Sequence, residues 1–428
     1  MRQILLLVIL GLMINSASAQ SDSPTLSLHQ CYEKIYQHYP VADKVEIQKK
    51  ITELNSLIAR SGTYPELQIS AGSSYQSDVT EIPFAAPGSN VPVFSKDHYN
   101  VSAALTQSLF DGGRSRLTHQ LQGEVGAVEL AKIESELWTI RQQVDQIYFG
   151  ILKMQKQNES MELMLKDIEE QLEMVQAMVR NGLVLPGNEL VLKAEHIKAV
   201  QQVIEIEASI RAGYQMLGEI LGEPVETDTI LEVPNPVEIN LSVNEEVDRA
   251  EFDIFEATER QLNTQKELSA ADRWPTVSAF AQSAYGRPGL NAFEDELQFY
   301  WKIGLTARWS LKNWKTASRN MEIAESRKRV MNADREAFTR QLYAQLRQKE
   351  EQITALDLQL KQDQELHQLH RQIVEEKRKL LEEGVIHSTE YVTELNAENR
   401  VRINLEMRQI TRLQLITELA TQKGIVWN

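Results

Sequence analysis

The sequence predicts a mainly α-helical chain with a small β part, built from two tandem structural repeats. Three observations predict this fold class. Two long stretches carry apolar residues every three to four positions, four short stretches alternate apolar and polar residues, and similar segments recur about 210 residues apart in the same order. Each repeat is predicted to run helix, strand, loop, strand, long helix, turn and helix.

The repeat rests on matching segments. Tyr64–Ala71 resembles Trp274–Ala281, since in each an aromatic residue and a proline close a helix and open a strand. The turns at Gly182 and Gly384 match at nearly the same offset, and a proline-rich stretch between the copies is typical of a linker. The predicted boundaries are 1–19 for a signal peptide, 20–222 for the first repeat, 223–244 for the linker and 245–428 for the second repeat.

The first twenty residues have the layout of a secretory signal peptide, with a short basic start, an apolar run and small residues up to Ala19. The apolar run is too short to span a bilayer, so we expect cleavage after Ala19 and export from the cytoplasm. The chain has 45 Lys and Arg against 61 Asp and Glu, a net charge of −16, which argues against nucleic acid or anionic lipid as the main partner.

The predicted strands have two chemically different faces. In the second repeat, alternate residues from Phe299 to Trp309 are apolar or aromatic, whereas the intervening residues are mostly polar or small. This pattern fits a strand with lipid on one side and water on the other, and a soluble half-buried sheet is the alternative. The predicted lipid-facing residues are Tyr99, Val101, Leu105, Phe299, Trp301, Ile303, Leu305 and Trp309. Four strands cannot close a membrane barrel, so three chains with twelve strands are expected if the strands are transmembrane.

The long helices give the strongest periodic signal. Apolar residues step by three and four along the segment from Leu130 to Val179, interrupted only by Asn158. Such heptads indicate coiled-coil packing, and an unbroken helix over 114–180 would reach roughly 100 Å at about 1.5 Å per residue. Gly182 and Gly384 are predicted to end the two long helices, after which a second helix returns in each hairpin.

Catalytic and metal-binding motifs are absent from the sequence, which predicts that the chain is not an enzyme and has no cofactor. His367 and His370 are spaced to share a helix face, but no third metal ligand is evident. Asp111-Gly-Gly-Arg114 reads as a sharp turn from strand to helix rather than a phosphate-binding loop. Acidic residues near the hairpin tips, Glu189, Glu390 and Glu394, form either a ring of negative charge around a pore or a solvated helix face.

These features together resemble the outer-membrane efflux proteins of the TolC type. The residues that carry the resemblance are Tyr64-Pro65, Trp274-Pro275, Leu105-Thr-Gln-Ser-Leu-Phe-Asp-Gly-Gly-Arg114, the turns Gly182-Leu183-Val184 and Gly384-Val385-Ile386, and Leu395-Asn396-Ala397. The resemblance covers essentially the whole mature chain. It implies a homotrimer with a twelve-stranded barrel in the Gram-negative outer membrane and a helical tunnel in the periplasm.

The resemblance also implies a function and partners. Members act as passive conduits of tripartite efflux or type I secretion systems, joined to a periplasmic adaptor and an inner-membrane pump of the RND or ABC type. The tips Gly182, Leu183 and Val184, with Gly384, Val385 and Ile386, are expected to contact the adaptor. Asn396 departs from the aspartate that the family often has, so the predicted aperture set is Glu189, Glu390, Glu394 and Asn396. A periplasmic coiled-coil scaffold without a pore is the alternative function.

Overall fold

The computed structural model describes residues 24–79, 94–235, 247–291 and 294–425, so the predicted signal peptide lies outside the described residues. The elements of the first half are β1 (Thr25–Leu26), α1 (Leu28–His38), α2 (Pro40–Ser61), β2 (Glu66–Tyr75), β3 (Asp97–Phe110), α3 (Arg114–Arg180) and α4 (Pro186–Leu221). Those of the second half are β4 (Ile230–Leu231), α5 (Ala250–Ala271), β5 (Thr276–Arg287), β6 (Gln298–Arg308), α6 (Lys312–Glu382) and α7 (Ser388–Gln422).

The predicted mainly helical fold with a small β part is therefore confirmed. The pair of short parallel strands β1 and β4 was not predicted, because two residues are too few to show an alternating pattern. No helix in the described part of the chain combines the length and apolar character needed to cross a membrane.

Strands β2, β3, β5 and β6 form one antiparallel sheet in that order. Its register places Leu67 opposite Leu105, Leu105 opposite Ala281 and Ala281 opposite Ile303. Because side chains two residues apart share a face, most of the large apolar residues of the four strands lie on one side of the sheet, whereas Phe280 lies on the other. The opposite side carries the row Gln68, Ala104, Gln282 and Lys302. Strands β2 and β6 are the edges, and each has one side without a strand partner among the described residues.

The chain divides into two compact units, each drawing on both predicted repeats. One unit comprises residues 1–42, 137–248 and 343–428, and the other comprises 43–136 and 249–342. The sheet belongs to the second of these, together with most of α2, all of α5 and parts of α3 and α6. The division into repeats at 20–222 and 245–428 stays a prediction, since compactness and internal repetition are different properties.

Helix α1 contributes a buried polar cluster to the first unit. Ser27 and Gln30 form a capping box at its start, and Cys31, Tyr32 and Ile35 are buried on one face. The Tyr32 hydroxyl donates a hydrogen bond to Oδ1 of Asp145, which is fully buried on α3. Oδ2 of Asp145 has no hydrogen-bond partner among the described residues.

Burial dominates the chemistry of this carboxyl. It raises the pKa of Asp145 to about 7, against the lowering effect of the Tyr32 hydroxyl, while the charge of Glu418 raises the pKa and that of Lys349 lowers it. The Arg141 guanidinium lies 4.7 Å from the Tyr36 ring centroid and 4.8 Å from that of Trp138. Burial therefore favours the protonated form of Asp145, whereas the positive charge of Arg141 acts in the opposite direction and lowers the pKa.

We expect Asp145→Asn to remove a pH dependence of stability. The folded-state pKa of about 7 lies above the ordinary value of 3.8, so protonated Asp145 stabilises the fold fully below 3.8 and loses this contribution as pH rises through 7. Relative to the variant, the wild type should lose up to about 1.4 kcal/mol of unfolding free energy per pH unit in that window. Unfolding in detergent at several pH values measures this slope.

Asp334→Asn is the matched control, because Asp334 is exposed on α6 and the substitution makes the same change of charge. Its unfolding free energy should follow the wild type across the pH range. Equal slopes for the wild type and Asp145→Asn would contradict the prediction.

Candidate functional site

The two helical hairpins turn through the same backbone motif. Gly182 and Gly384 each have φ of +71°, a conformation that glycine adopts without strain. The Leu183 N–H donates to the Met178 carbonyl at 2.9 Å, and the Val385 N–H donates to the Leu380 carbonyl at 2.9 Å. These are Schellman motifs, which satisfy carbonyl groups left free at the ends of α3 and α6.

The two return helices are linked directly behind the turns. The buried Ser388 N–H, at the start of α7, donates to Oδ1 of Asn188 at 2.8 Å. The Asn188 side chain, near the start of α4, also donates to the Leu185 carbonyl at 3.4 Å. Ser388 follows Asn188 by 200 residues, so corresponding regions of the two hairpins meet each other.

An apolar core lies beneath the tips. It draws side chains from both hairpins, with Tyr391 of α7 and Met164 and Ile168 of α3 among the most buried. The other buried members are Met161, Val175, Leu192, Ala199, Ile206, Leu381, Val392 and Leu395. Burial raises the pKa of the Tyr391 hydroxyl well above its usual range, and the Asp167 charge acts in the same direction. The core therefore joins the hairpins through packing rather than through charge.

The predicted adaptor-contacting residues separate into two groups. Leu183 and Val385 are 70% and 65% exposed, whereas Val184 and Ile386 are partly buried and pack against the apolar core. Gly182 and Gly384 supply the turn conformation. The structure adds Leu185 and Leu190, which are also largely exposed near the first turn. Periodicity did not identify these two residues, because a core position and an exposed position on an apolar helix have the same residue types.

The predicted acidic aperture residues have partners of different kinds. Glu189 forms an ion pair with Lys193 at 2.6 Å, and Glu390 forms one with Lys377 at 3.3 Å. Glu394 is half-buried. Glu189 and Glu390 are thus each accompanied by a lysine on their own hairpin, so their negative charge is partly balanced in the single chain.

Asn396 links the two return helices. Its Nδ2 donates to Oε1 of Glu195 on α4 at 2.9 Å and to the Val392 carbonyl at 3.0 Å. Glu195 was not among the predicted site residues. The offset of 201 residues between Glu195 and Asn396 is the signal that could have identified it. A neutral amide at this position pairs with a carboxylate, whereas an aspartate would repel it.

Ion pairs hold α6 against α7. His367 Nε2 lies 2.9 Å from Oε1 of Glu398, which is 4% exposed. Arg408 bonds to Asp363 and Arg412 to Asp357. A role of His367 and His370 as two ligands of a metal ion gains no support. Among the described residues, no group of three or more His, Cys, Asp or Glu is placed so that it could hold a metal.

The strand face predicted to meet lipid is exposed along its length. Tyr99, Val101 and Leu105 of β3 belong to this exposed set, and so do five residues of the second hairpin. Those five are Phe299, Trp301, Ile303, Leu305 and Trp309. On the opposite face, Ser70 and Ser102 hydroxyls lie 2.8 Å apart in a hydrogen bond. The sheet thus presents an apolar surface on one side and polar groups on the other.

The turn reading of the Asp111 segment is confirmed. Gly112 and Gly113 have φ of +70° and +87°, and the Asp111 carboxylate accepts hydrogen bonds from the Gly113 N–H at 2.9 Å and the Ser115 N–H at 2.7 Å. A Cβ on Gly112 would lie 2.7 Å from Cβ of Trp274. These glycines therefore serve the passage from β3 to α3 and leave no cradle for a ligand.

Comparison with known proteins supports the resemblance to outer-membrane efflux proteins independently of the structure. Residues 52–223 match the family described as "Outer membrane efflux protein". No curated protein matches the sequence. The matched family and its structural neighbours are channels and not enzymes, which agrees with the prediction that this chain is not an enzyme.

Solved structures share the fold over nearly the whole chain. The outer membrane protein VceC of Vibrio cholerae has a TM-score of 0.73 and 16% identity, covering 94% of this chain and 97% of its own. A membrane protein of Pseudomonas aeruginosa has a TM-score of 0.75 and 14% identity, with coverage of 95% and 92%. The Campylobacter jejuni CmeC outer membrane channel gives 0.72 and 14%, with coverage of 93% and 85%. Residues 52–223 therefore match the outer membrane efflux protein family, and the chain shares its fold with solved outer membrane proteins, among them an outer membrane channel.

Proposed function

We propose that this chain is the outer-membrane channel subunit of a tripartite efflux or type I secretion system. It acts as a passive conduit whose strands lie in the outer membrane and whose hairpins lie in the periplasm. The single observation that carries this proposal is the sheet: one face is mostly apolar, with exposed side chains on β2, β3 and β6, and neither edge strand has an outer partner among the described residues. The family match at residues 52–223 supports the same function.

A homotrimer follows from the sheet in a bilayer. Hydrocarbon offers no hydrogen bonds, so the free sides of β2 and β6 must pair with another chain. Bacterial barrels have at least about eight strands, and three copies of this sheet supply twelve. Pairing β6 of one copy with β2 of the next closes the ring without an edge.

A periplasmic adaptor is the expected partner of the hairpin tips. Exposed apolar patches of this kind mark interaction sites. Leu183 and Val385, together with Leu185 and Leu190, give the tips an apolar surface that the fold itself does not use. An inner-membrane pump would provide the energy, as the resemblance to the TolC-type proteins implies.

The link between Asn396 and Glu195 is the proposed restraint on the aperture. It joins α4 of one hairpin to α7 of the other through a hydrogen bond to a charged acceptor. Opening then requires the two return helices to separate, which shifts a closed–open equilibrium. Glu189, Glu390 and Glu394 are proposed to add negative charge near this restraint.

We expect the mature protein, extracted from outer membranes in mild detergent, to have the mass of three chains. Leu305→Arg should prevent stable insertion, because a cation on the lipid face destabilises a barrel by about 2 to 4 kcal/mol at mid-bilayer. Thr306→Arg is the matched control on the opposite face and should still insert. Flotation with vesicles and mass measurement test both variants. A water-soluble monomer with no affinity for vesicles would refute the proposed function.

We expect Leu183→Lys and Val385→Lys to abolish efflux while leaving trimer formation intact. Both side chains are exposed, so the fold tolerates lysine, but a charged group on an apolar contact surface disfavours adaptor binding. Minimal inhibitory concentrations of exported compounds in cells measure the loss. Leu290→Lys is the control, because Leu290 is 61% exposed in the loop after β5. Loss of efflux in the control, or retention in both tip variants, would count against tip contact.

We expect Asn396→Ala to raise the conductance of the purified channel in planar bilayers. A hydrogen bond to a charged group contributes about 1.5 to 3 kcal/mol, which corresponds to roughly a 10- to 100-fold shift of the closed–open equilibrium. Lys198→Gln is the control, because it removes the other partner of Glu195, at 3.2 Å, and keeps the Asn396 hydrogen bond. Unchanged conductance in Asn396→Ala would show that the hydrogen bond between Asn396 and Glu195 does not restrain the aperture.

A further inference from the structure

The segment that connects β3 to α3 differs in its contacts from the segment that connects β6 to α6. After β3, the Asp111 carboxylate caps the turn, and Arg114 forms an ion pair with Asp272. After β6, no such acidic cap exists. Instead, the indole N–H groups of Trp309 and Trp314 both donate to the Arg273 carbonyl, at 3.0 and 3.1 Å. The second exit is therefore held by two aromatic rings.

These rings remain at the surface. Their centroids are 6.4 Å apart at an interplanar angle of 58°, and Trp309 and Trp314 are 59% and 49% exposed. Leu311, between them, is also exposed. The indole nitrogens are satisfied by Arg273, so what each ring presents outward is mainly its apolar face. Trp309 directly follows Arg308, the last residue of β6, so the pair of rings lies next to the end of the strand that carries the exposed apolar residues.

The same segment carries unpaired positive charge. Residues 308–319 contain Arg308, Lys312, Lys315 and Arg319 and no Asp or Glu, in a chain with a net charge of −16. All four side chains are exposed, and none forms an ion pair with any residue that the structure describes. At the first exit, by contrast, Arg114 is paired within the chain. The second exit thus offers cations for an external anion.

We propose that this segment, 308–319, binds the phosphate-bearing headgroups of anionic phospholipids in the leaflet on the helix side of the membrane. Tryptophan rings favour the headgroup level, where one side is apolar and the other wet, and lysine and arginine next to them attract anionic lipid. The two features occur together here and not at the exit of β3. The inference rests on the proposed function, since it requires the strands to lie in a bilayer.

The test uses the full mature chain and the double variant Lys312→Gln with Lys315→Gln. Each protein is reconstituted into vesicles of equal parts phosphatidylglycerol and phosphatidylcholine, re-extracted in mild detergent, and its retained lipids are quantified by mass spectrometry. The wild type should retain phosphatidylglycerol preferentially. Because each lysine near a membrane surface contributes on the order of a tenfold or smaller factor in affinity, the double variant should lose about 10- to 30-fold of that preference.

Two controls separate the possible outcomes. Lys166→Gln with Lys361→Gln makes the same charge change at exposed lysines of α3 and α6 outside the exit segment, and it should keep the wild-type preference. Salt at about 0.5 M should weaken the wild-type preference, because the screening length falls to a few ångströms. Efficient insertion with equal retention of the two lipids by wild type and the 312/315 variant would overturn the lipid site alone. Failure to insert into any vesicle would overturn the proposed function and, with it, this inference.

Discussion

Backbone hydrogen bonding in the four-stranded sheet is the constraint on which the rest of this chain depends. The register pairs Leu67, Leu105, Ala281 and Ile303 across the four strands, so a single alternation of side chains gives one apolar and one polar face. A slip of one residue in any strand would exchange these faces. The outer sides of β2 and β6 carry backbone N–H and C=O groups that have no strand partner among the described residues. In a membrane these groups cannot bond to water, so leaving them unpaired costs free energy.

The helical part follows a different principle, the packing of apolar stripes. The stripe of α3 reaches the core beneath the tips, where it meets residues of α4, α6 and α7. Two of the polar links there join positions about 200 residues apart: Asn188 with Ser388, and Glu195 with Asn396. Corresponding regions of the two hairpins thus contact each other, which gives the tips an approximate internal symmetry.

The two hairpins differ from each other in the side-chain contacts they make at particular places. Helix α6 is held to α7 by ion pairs such as Asp363 with Arg408, while α3 meets its neighbours near the tips mainly through apolar side chains. The strand exits differ in the same way, with the carboxylate of Asp111 at one and the rings of Trp309 and Trp314 at the other. The two halves of the chain therefore share an order of long elements while differing in the side chains at particular turns.

The sequence by itself determined the element types, the strand faces and the turns. Periodicity reports which side of an element is apolar, and a glycine before a returning helix marks a left-handed turn, so Gly182, Gly384 and the alternation of β6 were predictable. Tertiary structure alone decided which apolar tip residues are exposed, since Leu183 and Val184 are alike in composition but differ in packing. It also decided the partners of Asn396 and Asp145, because hydrogen bonds between distant segments depend on how helices pack and leave no local pattern in the chain.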